Sequence, residues 1–335
     1  MAVAGRVAPA KPASARRRGW QVEPAGEVAV RLARRHLDAA SEAVERLAAD
    51  ADADAEALHD FRVALRRLRS VLRAYRPCLR KLPKKLRRDL KRVVRATGDG
   101  RDAEVFLEWI DAEPSFPAVE HSGREWVRRQ LVEGRDEAYK QLRSRILADF
   151  TVLARRLHRA LVTGRDKTSY GEFTALRLHA QVAALSADLA RVHSAADSAL
   201  IHDARIQAKR LRYLIEPLVR RMPVARAAVK RLKAFQDETG SLCDGFVRRR
   251  MLGRTAEAAG ARQARAAFAG LLGEALDITV MNDVMPGLMG MARRNQRQVD
   301  RQYRHLHDRY LATHSGRWLA SFARLERQLR PTRGG

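Results

Sequence analysis

The segment His59-Asp60-Phe61-Arg62-Val63-Ala64-Leu65-Arg66-Arg67-Leu68-Arg69 returns 143 residues later as His202-Asp203-Ala204-Arg205-Ile206-Gln207-Ala208-Lys209-Arg210-Leu211-Arg212. Six of the eleven positions are identical, and a seventh, Arg66 against Lys209, keeps its positive charge. On a helix turning about 100° per residue, Arg62, Arg66, Arg69 and Arg73 fall within a sector of roughly 80° beside His59. His202, Arg205, Lys209 and Arg212 share the matching sector of the second copy, with Arg67 and Arg210 on the flanks. The chemistry such a face can do is anion binding. Side chains three or four residues apart lie about 5–6 Å from one another, so the like charges repel until a polyanion is placed between them. Arginine supplies paired donors that match phosphate oxygens, and lysine supplies a point charge. Asp54 and Asp197 each precede the histidine by five residues and are candidate N-caps. Each histidine would then sit about one turn into its helix, where free N–H groups favour anions. One such face alone reads as an ordinary solvated surface; repetition of His, Arg, Lys/Arg and Arg in register is what points to a site.

The elements that must hold these faces read as helices almost throughout. Ala, Leu, Arg and Glu dominate after Glu23, and strand-like alternation is absent. Phe61, Leu65, Leu68 and Leu72 form the apolar side of the first phrase, and Ala204, Ala208, Leu211, Ile215 and Leu218 that of the second. Breaks are expected at Pro77, Pro83, Gly98 with Gly100, Pro114 to Pro117, Gly164 to Gly171, Pro217, Pro223, Gly240 and Pro286-Gly287. A second helix follows each phrase, and there Lys84, Arg88 and Lys91 match Arg226, Lys230 and Lys233. From histidine to a closing aspartate, Asp102 or Asp244, is 43 residues in one copy and 42 in the other. Both aspartates are read as helix caps. A weaker echo pairs Phe150 to Leu161 with Trp318 to Leu329. The expected fold is therefore all-α: an internal duplication of two large helical units, about 25–165 and 172–330, each of about four helices, which suggests paired four-helix bundles. Trp109, Trp126 and Trp318, with Met281, Met285 and Met289, are read as packing residues.

Composition supports a polyanionic partner. Lys and Arg number 66 against 39 Asp and Glu in 335 residues, a net charge of +27. The first 22 residues contain no acid, and 1–24 reads as a disordered basic tail. Cys78 and Cys243 form no metal or redox motif and are expected to be reduced, in a cytoplasmic protein. No run of eighteen apolar residues exists, so no membrane insertion is expected.

The doubled phrase, His-x-x-Arg-x-x-x-Lys/Arg-Arg-x-Arg, within a helical duplication resembles the CHAD family, the conserved histidine α-helical domains. The likeness covers nearly all of residues 25 to 330, and the second-helix closures at Gly98 to Asp102 and Gly240 to Asp244 agree with it. The resemblance implies two pseudo-symmetric four-helix bundles packed around a basic central groove that binds inorganic polyphosphate, without known catalysis. Its ligand contacts would include His59, Arg62, Arg66, Arg67 and Arg69, and their counterparts His202, Arg205, Lys209, Arg210 and Arg212. The second-helix cations Lys84, Arg88, Lys91, Arg226, Lys230 and Lys233 would extend the site. Many members carry a triphosphate-tunnel barrel with a Glu-x-Glu-x-Lys strand; this sequence shows no such motif and resembles the stand-alone type. Targeting to polyphosphate granules is one use for such binding.

Two other readings compete. A metal-dependent phosphohydrolase of the HD type would use His-Asp pairs such as His59-Asp60, His202-Asp203 and His307-Asp308. Arginine and lysine beside the first two repel a divalent cation, and His305 and His307 point about 160° apart on a helix, so no metal site is expected. Nonspecific nucleic-acid binding needs only Lys and Arg. Aromatic residues are only 6% of the chain, however, which leaves few stacking platforms for single strands, and weak binding is expected at most. No cofactor is expected.

Overall fold

The computed structural model describes residues 19–49, 55–113, 115–272, 284–312 and 315–330. The regular elements among them are helices: α1 Ala25–Ala49, α2 Ala55–Ala74, α3 Lys84–Asp111, α4 His121–Gln141, α5 Ala148–Ala160, α6 Tyr170–Ala190, α7 Ser198–Ile215, α8 Pro223–Leu271, α9 Met285–Leu306 and α10 Ser315–Leu329. The fold is all-α, as expected. The two basic phrases form α2 and α7, and each histidine is the fifth residue of its helix.

Helix order runs in parallel through the two halves. A π-helical segment follows α4 at Leu142–Leu147, and another follows α9 at His307–Leu311. α1 pairs with α2 as α6 pairs with α7, and α3 with α4 as α8 with α9. α5 and α10, which carry the weaker sequence echo, pack in equivalent places against α1 and α3 or α6 and α8. Between the halves, α1 touches α6, α2 touches α7, α3 touches α8 and α4 touches α9. Each of these helices thus meets its counterpart in chain order. Among the described residues each half contributes five helices, where about four were expected.

The apolar faces settle where the cores lie. Phe61, Leu65 and Leu68 of α2 are fully buried, as are Ala208, Leu211 and Ile215 of α7. They join residues of α1, α5, α6, α8 and α10 in one large core drawn from both halves. A second core, with Phe106 and Ile110 of α3, Val127 of α4, Leu252 of α8 and Met291 of α9, also mixes the halves. The cores are therefore shared, not one to a bundle. Phe61 sits edge-on to Phe150 at 4.9 Å between ring centroids. Because it is a large, fully enclosed ring in α2, Phe61→Ala should lower unfolding free energy by about 3–5 kcal/mol in a denaturant titration.

Several sequence expectations change. α3 runs straight through Gly98 and Gly100, and α8, 49 residues and about 74 Å long, runs through Gly240. Asp102 and Asp244 consequently lie inside helices and cap neither. These glycines allow close approach: a Cβ on Gly100 would collide with the Tyr139 ring, and one on Gly240 would lie 2.9 Å from the Arg205 guanidinium. Asp197 does occupy the N-cap of α7, but its carboxylate makes no bond to that helix. It accepts instead from the backbone N–H groups of His193 and Ser194, each at 2.8 Å, holding the preceding turn. Asp54 lies outside the described residues. So does 1–18 of the expected tail, but its end is docked: Trp20–Val22 forms a 3-10 turn, the Gln21 side chain donates to the Gln328 carbonyl at 2.8 Å, and Arg221 lies over the Trp20 ring.

Cys78 and Cys243 are buried free thiols. Trp109, Trp126 and Trp318 pack against the cores. Met285 packs against the second core, Met289 is half exposed, and Met281 lies outside the described residues. Among the described residues no helix is long and apolar enough to cross a membrane.

Candidate anion-binding site

The polar sectors of α2 and α7 meet where these helices touch. Arg66 of α2 is held below the ordinary guanidinium value by desolvation, then by Arg212, Arg62 and Arg205, with Tyr213 acting the other way. Burial, followed by Arg205 and Arg66, pushes the Lys209 ammonium down to about 8; Cys243 and Asp244 pull it back up. Arg66 and Lys209 occupy equivalent places in the two phrases, and Arg66 is among the charges acting on Lys209. Arg66, Arg205, Lys209 and Arg212 thus form one cationic cluster built from both halves.

The donors of this cluster are incompletely used. Arg212 stacks its guanidinium over the buried Tyr213 ring at 4.7 Å. The Nε–H groups of Arg205 and Arg212 are buried and make no hydrogen bond. A buried donor without an acceptor costs free energy that an anionic ligand would return. At one edge, Arg69 is lowered by burial and then by Arg73; Arg210 is lowered by burial and then by Arg73, with Asp203 and Asp188 opposing.

Not all the sequence-predicted residues are equally available. Arg67 is clamped by Glu216 of the other half through two hydrogen bonds of 3.0 and 2.9 Å. Arg62 donates from Nε to the Thr97 carbonyl at 2.6 Å and from Nη2 to the Tyr139 hydroxyl at 3.1 Å. Its Nη1 lies 3.9 Å from Glu104, to which the Tyr139 hydroxyl also donates. His59 is exposed and borders a cleft of about 620 Å³ with Arg62, Glu104 and Tyr139. His202 is exposed too, and desolvation, with Arg205, Lys209 and Arg250, lowers it despite Asp203. Lys84, Arg88, Lys91, Arg226, Lys230 and Lys233 are exposed on α3 and α8, and none of them is among the charges acting on Arg66 or Lys209.

Sequence reasoning missed Glu104, Tyr139 and Glu216. Glu216 stands where the first half has Arg73, so extending the alignment of the phrases by four residues would have found it. Glu104 and Tyr139 left no such signal. Among the described residues no three His, Cys, Asp or Glu side chains converge as metal ligands.

A family model described as the CHAD domain matches residues 29–253, which include both basic phrases. The chain belongs to the CHAD-domain family. The CHAD domain from the plant Ricinus communis is similar in structure, with a TM-score of 0.57 and 24% identity, covering 80% of this chain and 93% of that one. PptA from Streptomyces chartreusis gives a TM-score of 0.48 at 17% identity, covering 84% of this chain and all of that one. None of the curated proteins matches the chain. The CHAD match ends at Gly253, within α8, so α9 and α10 complete the second half beyond it.

Proposed function

We propose that this CHAD domain binds inorganic polyphosphate along the α2–α7 face and does no chemistry on it. The observation that carries the reading is the cationic cluster of Arg66, Arg205, Lys209 and Arg212, with buried Nε–H donors on Arg205 and Arg212 that lack an acceptor. A flexible chain of tetrahedral phosphates supplies closely spaced oxygens for such donors. CHAD domains are linked with polyphosphate, which fits this chemistry. His59 and His202, Arg62, Arg67, Arg69, Arg73, Arg210 and the α3 and α8 cations border or flank the cluster and extend its field. The protein would serve as a cytoplasmic binding module that can be recruited to polyphosphate granules.

Nucleic acid is the competing polyanion. The aromatic rings nearest the cluster favour polyphosphate: Tyr213 is buried beneath Arg212, and Tyr139 is hydrogen-bonded to Arg62 and Glu104, so neither is presented for a base to stack on. The test is competition at matched phosphate concentration and two salt concentrations. Long-chain polyphosphate should displace duplex DNA, bind more tightly than a short phosphate oligomer, and lose affinity steeply as salt rises. If DNA displaces polyphosphate at the higher salt, the reading is wrong.

A further inference from the structure

Resting on the polyphosphate reading, we infer that the groove is polar: Glu104 and Glu216 act as internal anions that neutralise the first half's wall, so the ligand binds chiefly to the second half's wall and to the Arg69–Arg73 end of α2. Equivalent positions in the two halves differ in their partners. Arg62 corresponds to Arg205 and Arg67 to Arg210. Both first-half arginines face a carboxylate, Glu104 at 3.9 Å and Glu216 at 2.9 Å. Among the described residues neither Arg205 nor Arg210 is in a salt bridge with a carboxylate.

The substitutions behind this difference are legible. Counting from the closing aspartates, Glu104 corresponds to Phe246, a buried core residue of α8. Glu216 corresponds to Arg73. Where the first half has the Arg67–Glu216 contact, the second half has Arg210 in the field of Arg73, attraction at one place and repulsion at the other. Arg210 keeps one hydrogen bond, to Gln207 at 3.1 Å, and Asp188 and Asp203 moderate its field without pairing with it.

His36 of α1 stands beside Arg67, and burial, followed by Arg67 and Arg35, pushes it down to about 4 against the pull of Glu216. An imidazole kept neutral there adds no positive charge for a ligand. At the other end Arg69, Arg73 and Arg210 are three cations with no salt bridge among the described residues, and Asp188 and Asp203 only moderate the field at Arg210. Glu216 thereby does two things: it ties α2 to the end of α7, and it holds a place that would otherwise receive a phosphate.

The experiment compares equivalent pairs in the full chain. Polyphosphate affinity and its salt dependence are measured for Arg205→Gln/Arg210→Gln and for Arg62→Gln/Arg67→Gln, with thermal melts of both. The second-half pair should lose about 30-fold in affinity and flatten the log–log salt slope by about 1.5, the share of two phosphate contacts. The first-half pair should lose less than about 3-fold while melting lower, since it breaks the inter-half clamp. Equal losses in well-folded variants would overturn the polar groove, and so would a larger loss in the first-half pair. If the first-half pair does not fold, Glu104→Gln/Glu216→Gln decides instead: it should tighten binding by about 5-fold and steepen the salt slope, and unchanged or weakened binding would overturn the inference. Failure of the wild-type chain to bind polyphosphate would instead overturn the function on which the inference rests.

Discussion

Charge reversal at the crossing of the two basic helices, Arg66→Glu with Lys209→Glu, should lower polyphosphate affinity by more than about 100-fold at moderate salt. These two residues belong to one cluster, and each lies in the field of Arg205. Reversal replaces two attractive charges with two repulsive ones. The new carboxylates would also pair with Arg205 and Arg212, taking up the unpartnered Nε–H donors. The fold should survive, because the exchange relieves a cluster of like charges while the buried faces of both helices stay intact. The matched control is Arg16→Glu with Arg18→Glu, the same change in net charge placed in the N-terminal basic segment. Its effect should stay below about 5-fold, because it removes only long-range attraction that salt screens. Isothermal titration at constant ionic strength checks both, and circular dichroism checks the fold. Equal losses in the two variants would mean that overall charge drives binding and the α2–α7 site is not the seat of the ligand.

The legible part of this molecule was the part that repeats. Helical period placed Phe61, Leu65 and Leu68 inward and Arg62, Arg66 and Arg69 on the polar side, because burial of one helix face obeys spacing alone. The likeness of the two phrases put His59 and His202 in one register, and the structure keeps that register in α2 and α7. Local signals failed where tertiary packing outweighs them. Gly98, Gly100 and Gly240 read as breaks because glycine weakens an isolated helix, yet Gly100 and Gly240 admit Tyr139 and Arg205 against a continuous helix. Asp197 reads as a cap for α7 and is at that position, but the turn behind it holds the carboxylate more firmly. The pairing of Arg67 with Glu216 was hidden for another reason. A basic face looks uniform in a helical projection, and only the approach of another element decides which of its charges are already satisfied.

Lys209→Met should make the protein more stable and a weaker binder. The sign follows from the proton. In the folded chain Lys209 releases its proton at about 8, against an ordinary value of 10.5, so the unfolded chain holds that proton more tightly. Below pH 8 both states are protonated and the penalty of keeping the charge within the cluster is fully present. At about 1.36 kcal/mol per pKa unit it is on the order of 3 kcal/mol. Between pH 8 and 10.5 the folded state sheds the proton first, and the penalty fades. Methionine, of similar length and no charge, should therefore raise the unfolding free energy by about 2 kcal/mol at pH 7 and by much less at pH 10, as read by denaturant titration at the two pH values. Polyphosphate acts on the same charge in the opposite direction, because phosphate oxygens beside the ammonium favour its protonated form. The wild-type chain should take up protons on binding at pH 8.5, measured by calorimetry in two buffers of different ionisation enthalpy, and Lys209→Met should take up almost none. A variant that gained stability but kept both its affinity and its proton uptake would show that Lys209 is a strained charge and not a contact. Loss of both together would show that the repulsion stored at the crossing is the same free energy that the ligand releases.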